Sequence, residues 1–157
     1  MSTIIEKASF LRNKLVPLLG TIKANEPARW GKMNAQQMIE HMRYAFMEAA
    51  GKYDRTILTA EEHLPKMYAF MMSEKPFREN TPNQLLPNEP EPLEYEDIPR
   101  ALEALKTEIE NFFHEFANHP DKKVTNPFFG HLNFEEWVQL LHKHSWHHLK
   151  QFGVENS

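Results

Sequence analysis

The feature that most constrains this chain is a helical pattern near its end, from Asn133 to Phe152. Four of the nine histidines lie within it, between His142 and His148. Asn133 and Glu136 have the spacing of a capping box, which predicts a helix start at this point. The apolar stripe of the helix consists of Trp137, Leu140, Leu141, His144, His148 and Phe152. Two imidazoles therefore lie one turn apart, with roughly 6 Å between Cβ atoms, on a face that should be buried.

Imidazoles on a buried face need hydrogen-bond or metal partners. A buried polar group without a partner costs roughly 1–3 kcal/mol, so two of them on one face favour a shared partner, and a metal ion is the obvious one. Gln151 lies three residues beyond His148 on the same side and is predicted to orient a ligand or a metal-bound water. His142 and His147 lie off the stripe and are expected to face solvent or the edge of a helix bundle.

Three further amphipathic stretches are predicted to be helices. They run from Ile4 to about Val16, from Asn34 to about Ala50, and from Ile98 to about Ala117. Thr3 with Glu6, and Asn34 with Gln37, have the spacing of capping boxes, and Asp97 can cap the third stretch. Pro17 is expected to end or kink the first helix.

A long interruption, residues 52–96, separates the second and third of these helices. Its segment from Glu61 to Met72 is predicted to be a short helix. Five prolines follow within seventeen residues and exclude a regular helix or a central strand. We expect an irregular strap over the surface there, held by apolar residues. These are Phe77, Leu85, Leu86 and Leu93. Residues 118–130 are expected to be a simple connection.

Four long amphipathic helices in 157 residues predict one all-α domain, a four-helix bundle spanning residues 1–157. The short connection between the last two helices predicts that they are antiparallel neighbours. The long crossover formed by residues 52–96 favours an up-down-down-up arrangement.

Charge and hydropathy narrow the classes of function. The formal net charge is -4 and no cluster of Lys and Arg is longer than Lys122 and Lys123, so nucleic-acid binding is not expected. No apolar run approaches the about 18 residues of a membrane span. The N-terminal residues lack a basic region followed by an apolar block, so a cytoplasmic location is expected.

A third histidine can join the pair on the last helix. His41 lies in the apolar stripe of the second helix, and a bundle can bring it to His144 and His148. The chain has no cysteine, so a transition-metal site must use His, Asp or Glu. Three neutral imidazoles suit zinc, nickel, copper, manganese or iron and leave a position for water or substrate. Glu48, seven residues after His41, is a candidate base.

The motif H-x-x-x-H-x-x-Q, formed here by His144, His148 and Gln151, occurs together with the lone His41 on an earlier helix. Together with the segments RWGKMNAQQMIEHM and NPFFGHLNFEEWVQLLHKHSWHHLKQFG, it resembles the DinB-like superfamily. The resemblance implies a four-helix bundle with a crossover and a metal site on the same three histidines. It also implies a small-molecule substrate and a homodimer. Several relatives are metal-dependent transferases of low-molecular-weight thiols, others are assigned as hydrolases, and many have no known activity.

Three hypotheses about function follow. The first is a divalent-metal-dependent enzyme, a thiol S-transferase or a hydrolase, with a low-molecular-weight thiol as a further cofactor in the transferase case. The second is a non-catalytic bundle that binds a small ligand or a partner. In the third, the histidines only satisfy each other and core waters, and a chelator should then leave thermal stability unchanged.

Overall fold

A computed structural model describes residues 2–79 and 91–155 of the chain, and these residues are mostly helical. The six α-helices of the described residues are α1 Ile4–Asn13, α2 Leu15–Leu19, α3 Ala35–Ala49, α4 Leu64–Met72, α5 Ile98–Asn118 and α6 Phe134–Gln151. A 3-10 turn at Glu61–His63 leads into α4. Two short strands, β1 Val124–Asn126 and β2 Gly130–Leu132, form a hairpin that the sequence did not predict.

The predicted helix starts are confirmed by side-chain caps. Capping boxes close the first turns of α1, α3 and α6, with Thr3, Asn34 and Asn133 as the N-cap residues. Asp97 accepts a hydrogen bond from the backbone N–H of Arg100 at the start of α5. Each cap gives a partner to backbone N–H groups that the helix itself leaves unpaired.

The first predicted helix is divided in two, which corrects the expected span of Ile4 to Val16. α1 ends at Asn13, Lys14 has φ −117° and ψ −26°, and α2 begins at Leu15. Pro17 lacks an N–H, and in a continuous helix its ring would clash with the carbonyl of Asn13. The break places Pro17 in the first turn of α2, where the missing N–H is not needed.

Helix packing brings α3 and α6 into contact, which matters for the histidines that they carry. α3 packs mainly along α5, whereas α6 packs mainly along α1 and also contacts α3 and α4. Within the described residues, α5 and α6 meet through Phe134, whose ring lies 5.7 Å from the rings of both Phe112 and Phe116. The prediction that they pack side by side is nevertheless wrong, since α5 packs mainly along α3 and α6 mainly along α1.

The hairpin is antiparallel and is fixed by contacts outside its own short strands. Its register pairs Val124 with Leu132 and Asn126 with Gly130. The buried Trp137 of α6 donates its indole N–H to the carbonyl of Val124, at 3.1 Å. Strands of three residues are too short for an alternating apolar pattern, so nothing local in the sequence predicted them.

The predicted strap is confirmed at one of its apolar contacts. Phe77 packs against the hydrophobic core, with its ring 5.6 Å from that of Phe70. Leu93 is 45% exposed, so its predicted packing role is wrong. Leu85 and Leu86 lie outside the described residues. In the part of the chain that the structure describes, no helix has the length and apolarity needed to cross a membrane.

Candidate metal centre

The contact between α3 and α6 brings the three predicted histidines together. His41 lies in the middle of α3, and His144 and His148 lie one turn apart on α6. The Nε2 atom of His144 is 3.1 Å from Nε2 of His41 and 3.0 Å from Nε2 of His148. One ligand atom from each histidine lies within 4.8 Å of the other two.

This geometry fits a first-row transition metal. Nitrogen ligands at about 2.0–2.1 Å from a tetrahedral ion lie roughly 3.3 Å from one another. The two Nε2 separations of 3.1 and 3.0 Å are close to that value. Hydrogen bonds among the three Nε2 atoms cannot give every neutral imidazole a partner at this point, because each Nε2 carries at most one proton. A metal ion accepts a lone pair from all three.

Gln151 determines which nitrogen of His148 faces the cluster. Its Nε2 donates to the carbonyl of Trp30 at 2.9 Å, so its Oε1 is left to accept from Nδ1–H of His148 at 2.8 Å. The proton of the neutral ring is then on Nδ1, and Nε2 carries a free lone pair. Such outer hydrogen bonds commonly fix the tautomer of metal-binding histidines.

Burial keeps all three histidines neutral. Desolvation, with a smaller contribution from the nearby His147, lowers the pKa of His41 to about 4. Desolvation, with added repulsion from neighbouring imidazoles, also holds the pKa of His144 and of His148 well below the ordinary value. At neutral pH the lone pairs are therefore available to a metal without displacement of a proton.

Aromatic side chains from two further segments lie beside the cluster. The ring of His147 lies 5.1 Å from that of His148, 5.4 Å from Trp30 and 6.0 Å from Phe77. His147 is half-buried and packs against the rings of Trp30 and Phe77, so it lies at the edge of the site. The carbonyl of Trp30, which accepts from Gln151, is a contact that no side-chain pattern in the sequence indicates.

His142 is separate from this cluster. Its ring packs edge-on against Phe10 at 5.3 Å and is half-buried. This position agrees with the predicted location at the edge of the helices. Burial lowers the pKa of His142 to about 4.

Glu48, the predicted base, is not a member of the histidine cluster. Its carboxylate accepts from Nε of Arg55 at 3.1 Å and from the amide of Asn126 at 3.4 Å. Burial raises the pKa of Glu48, and the charge of Arg55 opposes that shift. Within the described ranges, the group that could hold a metal ion consists of the three histidines with no carboxylate. A catalytic role for Glu48 stays a prediction.

The described residues thus define a mostly helical protein with a three-histidine centre between two helices. A family model of the DinB superfamily matches residues 10–152, so the chain belongs to the DinB superfamily. This confirms the resemblance found in the sequence. No curated protein and no solved structure is similar enough to the chain to count as a match.

Proposed function

We propose that this protein is a divalent-metal-dependent enzyme that activates water or a thiol at His41, His144 and His148. The observation that supports it is the convergence of three neutral imidazole nitrogens, with Nε2 separations of 3.1 and 3.0 Å. A metal held by three protein ligands keeps a coordination position open, which is the pattern of catalytic sites. The class of reaction is hydrolysis or transfer of a low-molecular-weight thiol.

The residues of the chain have separable roles in this proposal. A zinc, nickel, manganese or iron ion would lower the pKa of a bound water or thiol and make a nucleophile available at neutral pH. His41, His144 and His148 would hold that ion, and Gln151 would keep His148 in the required tautomer. His41 and His144 are half-buried, so part of the cluster is accessible to a small-molecule substrate.

A specific observation favours the alternative of a non-catalytic bundle that binds a small ligand or a partner. The carboxylate of Glu48 is bonded to Arg55 and Asn126, and no carboxylate joins the histidine group in the described residues. Without a carboxylate beside it to act as acid or base, the centre could hold a ligand without turning it over.

Elemental analysis tests the metal site directly. Protein purified without a histidine tag or a chelator should contain close to one transition-metal ion per chain. His144→Ala should lose it, whereas His142→Ala, two residues away on the same helix, should keep it. A wild-type protein that takes up none of zinc, nickel, manganese or iron would contradict the proposal.

Activity assays on the metal-loaded protein separate the enzyme from the binding alternative. Thiol-transfer and ester- or amide-hydrolysis substrates would be screened with the metal found, and His41→Ala would serve as the inactive control. Turnover that depends on the metal supports the enzyme. A stoichiometric ligand that binds without turnover supports the alternative.

Four further expectations belong to the same proposal. They are the up-down-down-up order of a four-helix bundle, a low-molecular-weight thiol as a cofactor, a cytoplasmic location and assembly as a homodimer.

A further inference from the structure

Two buried charged residues immediately precede two of the clustered histidines in the sequence. Lys143 is next to His144 on α6 and is 8% exposed, and Glu40 is next to His41 on α3 and is 4% exposed. Charged side chains are seldom buried unless they are paired, so the partners of these two decide what they do.

Lys143 is bonded to the backbone just beyond α4. Its ammonium donates to the carbonyls of Ser73 and Lys75, the first at 2.8 Å. It also lies over the rings of Phe70 and Phe77, at 4.6 and 5.8 Å from their centroids. In residues 2–79 and 91–155, no carboxylate forms an ion pair with it.

Glu40 is likewise hydrogen-bonded to the backbone, in the segment just before α5, but as an acceptor. Its carboxylate accepts from the backbone N–H of Glu94 at 2.7 Å and of Tyr95 at 3.3 Å. The side-chain amide of Gln36 gives a third hydrogen bond, at 3.0 Å. Across the described residues, Glu40 forms no ion pair with a basic side chain.

We propose that Lys143 and Glu40 are positioning residues that set the spacing of the three histidine nitrogens. Lys143 fixes the rotation of α6 against residues 73–75, and Glu40 fixes the rotation of α3 against residues 94–95. A buried charge that is hydrogen-bonded mainly to the backbone of one segment cannot move away from that segment without losing the hydrogen bonds that offset its desolvation. Each helix is therefore held at one rotation about its axis.

Small rotations matter at this site. A side-chain atom roughly 6 Å from a helix axis moves by about 1 Å when the helix turns by roughly 10°. Metal sites tolerate ligand distances within about 0.2 Å of ideal. Loss of either anchor should therefore disturb the metal geometry even though neither residue touches the histidine nitrogens.

A second contact joins the same backbone segment to the site. His147 lies one turn beyond Lys143 on α6. Its ring lies 6.0 Å from that of Phe77 and 5.1 Å from that of His148. The segment that Lys143 anchors is thus in contact, through His147, with a member of the cluster.

Cobalt(II) binding tests this inference, which rests on the metal site proposed above. Cobalt affinity would be measured by competition with a chelator, and the visible absorption of bound cobalt would report its coordination geometry. Lys143→Met and Glu40→Gln should each weaken cobalt binding by about tenfold, at the low end of the effect of outer partners of metal ligands, and should shift the spectrum. Lys143→Arg, which keeps a cationic donor, should restore most of the affinity.

Glu108→Gln is the matched control. Glu108 is a buried glutamate on α5, 7% exposed, and it accepts from the ammonium of Lys52 at 2.6 Å. The substitution removes a buried carboxylate from α5, a helix that carries none of the three histidines. It should lower the melting temperature while leaving cobalt affinity and spectrum as in wild type.

The outcomes separate this inference from the proposed function. Cobalt uptake by wild type, with unchanged affinity and spectrum in both anchor variants, overturns the positioning role alone. No cobalt uptake by wild type overturns the proposed metal site and this inference with it. If Lys143→Met does not fold by circular dichroism, Glu40→Gln on the other helix gives the same decision.

Discussion

At the scale of single residues, the polar atoms around the cluster divide into paired and unpaired groups. Gln151 uses both ends of its amide, one on Nδ1 of His148 and one on the carbonyl of Trp30. The indole N–H of Trp30, by contrast, is buried and has no partner among the described residues. A buried donor without a partner costs free energy, whereas a paired amide fixes geometry.

Replacement of Gln151 by Leu should weaken metal binding. The substitution removes the acceptor of Nδ1–H of His148, so the proton is free to move to Nε2 and the ring is free to turn. We expect a loss of about 10- to 100-fold in metal affinity, measured by chelator competition. Lys150→Leu, the neighbouring position on α6, is the control. Equal affinity for wild type and Gln151→Leu would exclude the tautomer role.

Two tryptophan substitutions should have opposite consequences for stability. Trp30→Phe removes an unpaired buried N–H and should leave the free energy of unfolding unchanged or raise it. Trp137→Phe removes the hydrogen bond to Val124 from a side chain that is 1% exposed, and should cost about 2 kcal/mol or more. Urea denaturation of both variants measures this difference. A large loss in Trp30→Phe would mean that its N–H has a partner in solution.

At the scale of helices and strands, polar contacts at the ends fix how neighbouring elements join. The joint between α3 and α5 illustrates this. Lys52, just beyond the end of α3, donates to both carboxylate oxygens of Glu108 on α5, at 2.6 and 3.0 Å. Asn111 donates to the same carboxylate at 3.0 Å. Burial disfavours the charged form of Glu108, but these donors outweigh it and hold the pKa of Glu108 below its ordinary value.

The contribution of this joint to stability should depend on pH. Because the folded-state pKa of Glu108 is lowered, its stabilisation is present above the ordinary value of 4.5 and is lost as the pH falls below it. Glu108→Gln should therefore cost about 1 kcal/mol at pH 7 and much less at pH 3, by urea denaturation at both pH values. The control is Glu103→Gln, an exposed position on α5. If Glu108→Gln lost the same free energy of unfolding at pH 7 and at pH 3, Glu108 would not be a charged carboxylate in the folded protein.

At the scale of the whole molecule, the histidine cluster lies between the two main helix pairs. α3 packs with α5 and α6 packs with α1, and the cluster lies where α3 meets α6. A ligand bound there by the folded state alone stabilises the whole fold by mass action. Metal binding should therefore appear as a change in global unfolding.

Metal removal should lower the melting temperature. At a free metal concentration about 1,000 times the dissociation constant, the expected stabilisation is about 4 kcal/mol. For a domain of this size that corresponds to a rise of roughly 8–16 °C, reversed by a chelator. Calorimetry on wild type and His144→Ala tests it, and the variant should show no shift. An identical melting temperature with metal and with chelator would favour the third hypothesis, in which the histidines satisfy only each other and core waters.

The sequence by itself determined the helices and the candidate ligands, because both depend on short-range periodicity and capping. Spacings of three and four residues placed His144 and His148 on one face, and the stripe around His41 placed it on another. Those patterns act within one or two turns, so they are visible without a fold. The family resemblance added the expectation that the three histidines meet.

The tertiary structure alone decided which elements are neighbours and which backbone atoms complete the site. The short hairpin, the pairing of α6 with α1, and the contacts of Lys143 and Glu40 all join segments that are far apart in sequence. Every residue has the same backbone carbonyl, so the sequence does not mark the carbonyl of Trp30 as the partner of Gln151. Such contacts arise only when packing brings one particular backbone group beside one particular side chain.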